Sequence, residues 1–469
     1  MGILTFFIAL CLLVANIIFE VKNKENTKII NPNIVFFGLW TFILFLAVLN
    51  LYGLYKPSAE AYFLIMLMLV FYAIGNCIFK VLKEKRKKEN NKENIEITKN
   101  TENKDENIEK VENKEQKEEK FWNYSFIVIL VLCIIDILLL LIDCYIVIKN
   151  YASGVPMWKI RRWRMETFAT ANNPLLNRRS FLEETFRNVI INPFETILTP
   201  IAAYYFFNKK GKKKYILVSF SLIILVLSSL AGGGGRLGYM YYFGCYLLSY
   251  VCMLKNNKDV SEETKQKYKK VLYILLILGV AVVILFTAIR TNMSFFKQVY
   301  KYFALPPTLL SEWLPKIKEV PHTYGMLTTF GVHSYFFRFL EAANLQFLIP
   351  SVYNNAYQQL LNAEDFIQSG FGIANAFVTP IYYFFIDGGY IFVCLASMVF
   401  GFLVTYVYDK VCKNIEIKSF IIYTLIIYGV FLTFMRIQTC IPSYIISYVL
   451  VFLILKKDGI NIKWMKKKN

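Results

Sequence analysis

The stretch WNYSFIVILVLCIIDILLLLIDCYIVI, residues 122–148, is an apolar run long enough to cross a bilayer as a helix. A helical span needs about 20 apolar residues, and no stretch of the chain alternates in the manner of a barrel strand. The sequence therefore predicts an all-α, polytopic transmembrane helix bundle with about 11 spans and two large exterior loops. The other ten predicted spans are 3–19, 34–52, 61–82, 190–207, 215–231, 237–254, 271–289, 389–408, 419–435 and 440–455.

The formal charge of +20 on 469 residues does not indicate a nucleic-acid partner. Residues 83–120 contain 12 basic and 12 acidic side chains, and this polar stretch contributes no net charge. We expect 83–121 to be a disordered, charged cytoplasmic loop. The nine cysteines occur singly, without a CxxC pair or a Cys/His cluster, so neither a disulfide framework, a metal site nor another cofactor is predicted.

The excess of positive charge lies in short clusters beside spans, at 209–214, 255–270, 410–418 and 466–468. Lysines and arginines favour the cytoplasmic side. If all of these clusters lie inside, the N-terminus is outside, the first span is retained, and the C-terminus is inside. Two segments then lie outside, 149–189 with eight basic and three acidic side chains, and 290–388. An alternative topology drops one span and places 149–189 inside, but the cluster at 209–214 would then have to move outside.

This topology divides the chain into five parts. Residues 371–388 are apolar enough for a short span, but Pro380 and the polar start of this segment favour a re-entrant or interfacial helix. The five parts are N-terminal transmembrane helices at 1–82, the charged loop at 83–121, central transmembrane helices at 122–289 with the basic exterior loop 149–189, a large exterior loop at 290–388, and C-terminal transmembrane helices with a basic cytoplasmic tail at 389–469.

A glycine turn, Gly232 to Gly235 followed by Arg236, joins two predicted spans at the exterior face. Glycines such as Gly234 and Gly235 let the backbone approach a ligand and point N–H groups at an anion. Arg236 adds a forked, permanently charged donor suited to a pyrophosphate. The alternative is a tight hairpin in which Arg236 extends to the membrane interface.

Further exterior arginines fit an anionic ligand such as a phosphate-bearing lipid. Each has a structural alternative, because an arginine can also lie in a solvated loop or anchor the end of a helix. The candidates are Arg161, Arg162 and Arg164 in the first exterior loop, Arg187 one turn before a span, and Arg290 and Arg436 at the outer ends of spans.

Candidate acid–base residues lie in the second exterior segment. His322 and His333 are the two histidines of the chain, and either can act as a general base or be structural. Arg338 and Glu341 are spaced i, i+3 and can form a structural ion pair. Asp387 precedes two glycines and a span, where an N-cap role is the alternative to catalysis.

With these residues in view, the chain resembles the Wzy-type O-antigen and capsular polysaccharide polymerases. The resemblance rests on the many spans with two large exterior loops and on the turn SLAGGGGRLGYMYY. It also rests on a late exterior stretch of the form Asn-x-Phe…Tyr…Asp-x-Gly, which contains Asn375, Tyr383 and Asp387. The charged insert at 83–120 is not part of that family pattern.

The resemblance implies a membrane glycosyltransferase of the bacterial cytoplasmic membrane whose active site faces outside. It would polymerise undecaprenyl-pyrophosphate-linked oligosaccharide repeat units into surface polysaccharide, with membrane lipid and a chain-length regulator as further partners. Arg236, Arg290 and Arg187 are then the expected pyrophosphate contacts. The other implied substrate-binding residues are Arg161, Arg162, Arg164, Arg338, Arg436, Gly234, Gly235 and Asn375, and the candidate catalytic residues are His322, His333, Glu341 and Asp387.

Two alternative functions remain open at the level of sequence. An O-antigen ligase transfers the finished polymer to a different acceptor, so that the identity of the acceptor distinguishes it from a polymerase. A flippase or exporter of lipid-linked oligosaccharide needs a cationic cavity reached from both sides. It would carry charge deeper in many spans, whereas the arginines here lie at the outer ends of predicted spans.

Overall fold

A computed structural model of the chain is almost entirely helical. It describes residues 1–22, 29–97, 109–156, 179–209, 211–232, 237–256, 261–290, 295–370, 372–375 and 377–455. The helices are α1 (Gly2–Lys22), α2 (Pro32–Leu49), α3 (Ala59–Ile97), α4 (Glu109–Ala152), α5 (Phe181–Phe186), α6 (Asn192–Asn208), α7 (Lys213–Ala231), α8 (Leu237–Asn256), α9 (Glu262–Arg290), α10 (Phe295–Ile317), α11 (Phe330–Ala342), α12 (Ser351–Asn362), α13 (Thr379–Lys413), α14 (Ile417–Phe431) and α15 (Pro442–Ile454). Two short strands, β1 (Ile367–Gln368) and β2 (Ile373–Ala374), pair antiparallel.

Within the described residues, eight helices are long and apolar enough to cross a membrane. The prediction of an all-α, multi-pass membrane protein is therefore confirmed. The predicted spans 190–207, 271–289 and 440–455 are not among the eight, and the last of these forms a shorter apolar helix, Pro442–Ile454. The eight are Gly2–Lys22, Pro32–Leu49, Ala59–Arg86, Ser125–Ala152, Lys213–Ala231, Leu237–Lys255, Thr379–Lys413 and Ile417–Phe434.

The chain folds into two compact units. The first contains Met1–Lys83 and Met240–Ile445, and the second contains Glu84–Tyr239 and Ile446–Asn469. In the first unit, the ring of Phe36 stacks on that of Tyr72 with centroids 3.9 Å apart. The Tyr72 hydroxyl donates to Asn33 Oδ1 at 2.8 Å, which satisfies a polar group inside the apolar bundle.

In the second unit, hydroxyl groups connect helices through backbone carbonyls. Ser125 Oγ donates to the carbonyl of Ile454 at 2.9 Å, and Ser447 Oγ donates to that of Pro193 at 3.3 Å. Pro193 has no N–H to offer, and its helix α6 also contains Pro200 in its interior. Such side-chain donors satisfy carbonyl groups for which an apolar bundle supplies no water.

The predicted exterior segment 290–388 contains three helices, α10, α11 and α12. Its location outside the membrane stays a prediction. Its last part is the beginning of α13, which is broken at Gly388 and Gly389. The nine residues Thr379–Asp387 before the break cover only about 13 Å at 1.5 Å per residue. This length is well short of a bilayer core. The partial entry of this segment into the membrane stays a prediction.

The charged segment 83–121 is helical wherever it is described, since α3 continues to Ile97 and α4 begins at Glu109. This corrects the prediction of a disordered loop for those residues, and 98–108 lie outside the described residues. Lys and Glu are good helix formers, and pairs such as Lys85 and Glu89 are four residues apart on one helix face. An existing apolar helix therefore extends readily into this sequence.

Helices α3 and α13 approach each other at two glycines. A Cβ added to Gly75 would lie 1.9 Å from the carbonyl oxygen of Met398, and one added to Gly401 would lie 2.2 Å from that of Tyr72. Small residues permit this close packing of membrane helices.

We expect Gly75→Ala to destabilise the protein by about 1–3 kcal/mol, because backbone atoms on the facing helix cannot move aside for the methyl group. The measurement is the midpoint of thermal unfolding in detergent. The matched control is Gly244→Ala, where an added Cβ meets nothing within 4 Å. Equal midpoints for the two variants would contradict the close packing of α3 on α13.

Candidate functional site

Asp387 is the last residue before the break in α13 and is completely buried. Gly389 has a φ of +62°, a value that side chains rarely adopt. The two glycines thus stop the first part of α13 and let the chain turn into the following span. Asp387 consequently lies at an internal helix end within the first unit, where its charge needs hydrogen-bond donors.

Those donors come from the turn that precedes α11. Thr323 Oγ1 donates to Asp387 Oδ1, Leu327 N donates to the same oxygen at 3.1 Å, and Thr328 N donates to Oδ2 at 2.8 Å. The backbone N–H of Tyr324 also donates to the carbonyl of Asp387 at 3.0 Å. The carboxylate of Asp387 therefore accepts hydrogen bonds from a segment distant in sequence. It does not cap the first turn of the following span, which was the alternative role. We call residues 322–329 the anchored turn.

His333 lies on α11, close enough to Asp387 for the carboxylate to influence its pKa. Its ring is surrounded by the rings of Phe330, Phe337 and Tyr353, with centroids 5.7, 5.7 and 5.9 Å away. Burial lowers the pKa of His333 from 6.5, while Asp387 and a hydrogen bond to the backbone of Met326 oppose this effect. The lowered pKa favours a neutral imidazole at pH 7.

Several polar atoms near the anchored turn are buried without a hydrogen-bond partner among the described residues. They are Nε2 of His333, Oγ of Ser334 and Oγ1 of Thr328. With one ring nitrogen of His333 used toward Met326, Nε2 of the neutral ring carries a free lone pair. The group can therefore accept a proton from a hydroxyl brought against it.

His322 belongs to the same anchored turn but is exposed. Its Nδ1 lies 3.2 Å from the carbonyl oxygen of Ile386, and its Cε1 lies 3.8 Å from the Cβ position of Gly389. The structure therefore brings together three of the four predicted acid–base residues, His322, His333 and Asp387. The fourth, Glu341, is exposed near the far end of α11 and contacts none of them in the described hydrogen bonds and ion pairs.

A second group of charges surrounds Arg436, which follows α14. The guanidinium pairs with the carboxylate of Glu364, and it interacts electrostatically with Tyr383 and Cys440. Asn375 Nδ2 donates to the carbonyl oxygen of Glu364 at 3.0 Å. The Asn-x-Phe…Tyr…Asp-x-Gly stretch therefore contacts the neighbourhood of Arg436 through its asparagine and its tyrosine.

The backbone at Thr379 joins this stretch to the segment of Arg436. Thr379 N donates to the carbonyl oxygen of Met435 at 3.0 Å, and Thr379 adopts a φ of +64°. A buried β-branched residue at positive φ costs about 1–3 kcal/mol and persists only where its surroundings enforce it. Strained backbone conformations are concentrated at functional sites. The junction between Thr379 and Met435 is therefore a candidate part of the functional site.

Arg436 retains capacity to bind an anion. A guanidinium has five N–H donors, and Glu364 is its only carboxylate partner in the described part of the chain. The other oxygen of Glu364, Oε2, is buried without a partner among the same residues. The remaining N–H groups of Arg436 can therefore donate hydrogen bonds to a ligand, and Oε2 of Glu364 can accept one.

Arg187 has a different environment, in the second unit. Its guanidinium binds Asp143 Oδ2 at 3.0 Å through Nη1 and Glu183 Oε1 at 2.9 Å through Nη2. Its Nε also donates to Glu183, and Arg179 Nη2 donates to Asp143 at 2.8 Å. Arg187 is buried and engaged by two carboxylates, so this arrangement favours a structural role over the expected pyrophosphate contact.

Arg338 and Glu341 make no ion pair with each other or with another described residue. Arg338 is half-buried and lies near Tyr335 and Tyr353. The alternative of a structural i, i+3 pair is therefore not realised in this structure. Arg338 remains a cation without a described acidic partner.

Several predicted site residues cannot be placed. The side chain of Arg290, at the end of α9, is outside the described residues. The residues that lie wholly outside them are Arg161, Arg162, Arg164, Gly234, Gly235 and Arg236.

Sequence reasoning missed Glu364, Thr323 and Thr328. Glu364 follows α12 in a stretch without a motif, and hydroxyl residues are common in turns. Thr323 lies next to His322, but nothing in the sequence indicated that it would bond to a residue 64 positions away. No group of three or more His, Cys, Asp or Glu side chains that could hold a metal ion occurs among the described residues.

Comparison of the chain with models of protein families, with curated proteins and with solved structures gives no match.

We expect Asp387→Asn to destabilise the anchored turn by about 1–3 kcal/mol, because an amide NH₂ would then face a backbone N–H. Hydrogen exchange of the peptide that covers 322–329 measures this effect. Asp365→Asn, at an exposed carboxylate of the same unit, is the control and should leave exchange unchanged. Unaltered protection in the Asp387 variant would show that the carboxylate does not hold the turn.

Proposed function

We propose that this protein is a membrane glycosyltransferase that polymerises lipid-linked oligosaccharide repeat units. Its substrates are undecaprenyl-pyrophosphate-linked units at the outer face of the bacterial cytoplasmic membrane, and its product is surface polysaccharide. A sugar hydroxyl of one unit attacks the anomeric carbon of the other, and the lipid pyrophosphate leaves.

One observation carries the proposal. The stretch on which the family resemblance rests is organised around charged groups, since Asn375 bonds to Glu364, Tyr383 lies near Arg436, and Asp387 anchors the turn before His333. Polar and charged side chains inside an apolar helix bundle are costly and usually functional. This supports a site that handles a polar substrate within a membrane protein.

Arg436 is the residue best suited to the leaving group. When the bond between the anomeric carbon and the phosphate oxygen breaks, its electron pair remains on pyrophosphate, and negative charge develops there. A pre-positioned guanidinium stabilises that charge in a site with little water. The pairing with Glu364 holds Arg436 in place while leaving donors for the phosphates.

His333 is the residue best suited to the acceptor hydroxyl. As the hydroxyl oxygen forms its bond to the anomeric carbon, its proton passes to Nε2 of the neutral ring. Asp387 is a positioning residue, because both of its oxygens already accept hydrogen bonds from the anchored turn. Its contribution is to fix the turn from which α11 and His333 begin.

We expect Arg436→Ala to lower polymer formation by about 10²–10³-fold, as for loss of one charge-stabilising donor. Cells lacking the native gene are complemented with each variant, and their lipid-linked and surface glycans are separated on a gel. Arg436→Ala should leave single repeat units without a ladder, whereas the exposed control Arg86→Ala should restore the ladder.

The deletion strain itself tests the reaction. Single units at the surface without a ladder support a polymerase, and full-length polymer that stays on its lipid carrier indicates a ligase instead. If the ladder is unchanged in a strain without a second polymerase gene, the proposal of polysaccharide assembly is wrong.

If His333 is the general base, the rate of polymer formation should depend on pH in a particular way. Because burial lowers its pKa from 6.5, the neutral base persists below that pH, and activity should decline only as pH falls through the lowered pKa. His333→Asn can keep the bond toward Met326 but lacks the base, so kcat should fall by about 10²–10⁴-fold with no acidic limb from this group. The measurement is polymer formation by purified protein across pH.

His322→Asn is the matched control for that experiment, because His322 is exposed and belongs to the same turn. It should keep both the activity and the acidic limb. The opposite pattern, with His322 essential and His333 dispensable, would transfer the role of base to His322.

A further inference from the structure

Helix α11, Phe330–Ala342, is apolar on two opposite faces. Its buried face contains Phe330, Ser334, Phe337 and Leu340. A helix of a water-soluble protein would present polar residues on the other side. Here the other side presents large apolar side chains instead.

The buried face fixes α11 beside the end of a membrane span. A Cβ added to Gly331 would lie 2.6 Å from the carbonyl oxygen of Thr439 and 2.7 Å from that of Ile441. Thr439 Oγ1 also donates to the carbonyl oxygen of Thr328 at 2.6 Å, just before α11 begins. Thr439 and Ile441 lie five and seven residues after the end of the candidate span Ile417–Phe434. The start of α11 is therefore held at a membrane boundary.

The exposed face is a row of three side chains at helical spacing. Val332, Phe336 and Phe339 are 62%, 61% and 67% exposed, and Phe347 in the next turn is 80% exposed. We call Val332, Phe336 and Phe339 the apolar row. Contiguous exposed side chains of this kind mark a surface that is covered by another apolar partner.

The length of α11 limits what that partner can be. Its 13 residues extend about 20 Å, too short for the roughly 30 Å core of a bilayer. Glu341 and Asn344 at its far end are exposed and polar, which also disfavours insertion through the core. An apolar face on a short helix at a membrane boundary is typical of a helix that lies in the interface plane.

We infer that α11 is an interfacial helix whose apolar row is covered by the phospholipids of the bilayer. The same unit contains another exposed apolar surface. On the candidate span in α13, the side chains of Ile391, Leu395 and Val399 are exposed, as expected for a surface that contacts lipid. The start of α11 is held beside the end of another candidate span, which brings the apolar row to the membrane boundary in the proposed arrangement.

Charge and position extend the inference. Arg338 has no acidic partner among the described residues, and a cation beside an interfacial helix suits lipid phosphates. His333 lies on the same helix, three residues before Phe336. The anchored turn and His333 are therefore at the level of the lipid headgroups. The burial pattern of α11, its length and its contacts beside a span do not involve the glycosyl-transfer reaction, so lipid coverage of the row is independent of the proposed function.

Site-directed photocrosslinking in native membranes tests this inference on the full chain. The photoreactive amino acid p-benzoyl-phenylalanine replaces Phe336 or Phe339, which keeps an aromatic ring at an exposed position. After irradiation, intact-mass spectrometry of the purified protein should show phospholipid adducts at both positions. The matched control is the same residue at Asn354, an exposed polar position of α12, where no lipid adduct above background is expected.

Each other result contradicts the inference. A crosslink that doubles the mass would show that a second copy of the chain covers the row, and a crosslink to another protein would show a protein partner. The absence of a lipid adduct at both Phe336 and Phe339 would contradict coverage of the row by phospholipid. Val332 is a third position on the row if either variant fails to accumulate, and size-exclusion chromatography checks the fold of each one.

Discussion

The buried carboxylate of Asp387 is the constraint on which the first unit's polar region depends. A completely buried charge must be compensated by hydrogen-bond donors, and these donors come from one short segment, Thr323 to Thr328. Their geometry fixes the conformation of the anchored turn. Since α11 begins directly after this turn, the direction of α11 and the location of His333 also follow from it. One carboxylate thus connects the break in α13 to α11, a helix that begins 57 residues earlier in the chain.

The nine residues Thr379–Asp387 link the two charged groups of this unit. At their first residue, Thr379 is bonded to the backbone of Met435, next to Arg436. In the middle, Tyr383 interacts with the guanidinium, and at the end Asp387 holds the anchored turn. Every residue from Thr379 to Asp387 is buried, so this short helix is packed on all sides. A tightly packed helix keeps the groups at its two ends at a fixed distance from each other. The spacing between the guanidinium and His333 is therefore a property of this helix.

The parts of this fold that were predictable are those set by local composition. Apolar runs such as 122–148 determine helices in lipid, because the backbone has no other way to satisfy its polar groups. The sequence also identified three candidates that the structure places in this region. His333 is one of only two histidines in the chain, Asp387 precedes two glycines and a span, and Arg436 lies at the end of a predicted span. The sequence did not reveal Glu364 or Thr323, because their importance comes from partners that are distant in sequence. The N-cap alternative for Asp387 considered only its own helix, whereas its actual partners lie 59 to 64 positions away.

Arg187 and Arg436 show why an arginine at the end of a predicted span is not by itself a ligand site. Arg187 is compensated by Asp143 and Glu183, and a further anion would compete with carboxylates that are already in place. Arg436 has a single carboxylate partner, and that partner has an unpaired oxygen of its own. Removing a charge from water is costly unless partners replace the lost hydration. A guanidinium left incompletely compensated therefore gains more from an arriving phosphate than a saturated one does, and this difference selects Arg436 as the pyrophosphate contact in the proposed reaction.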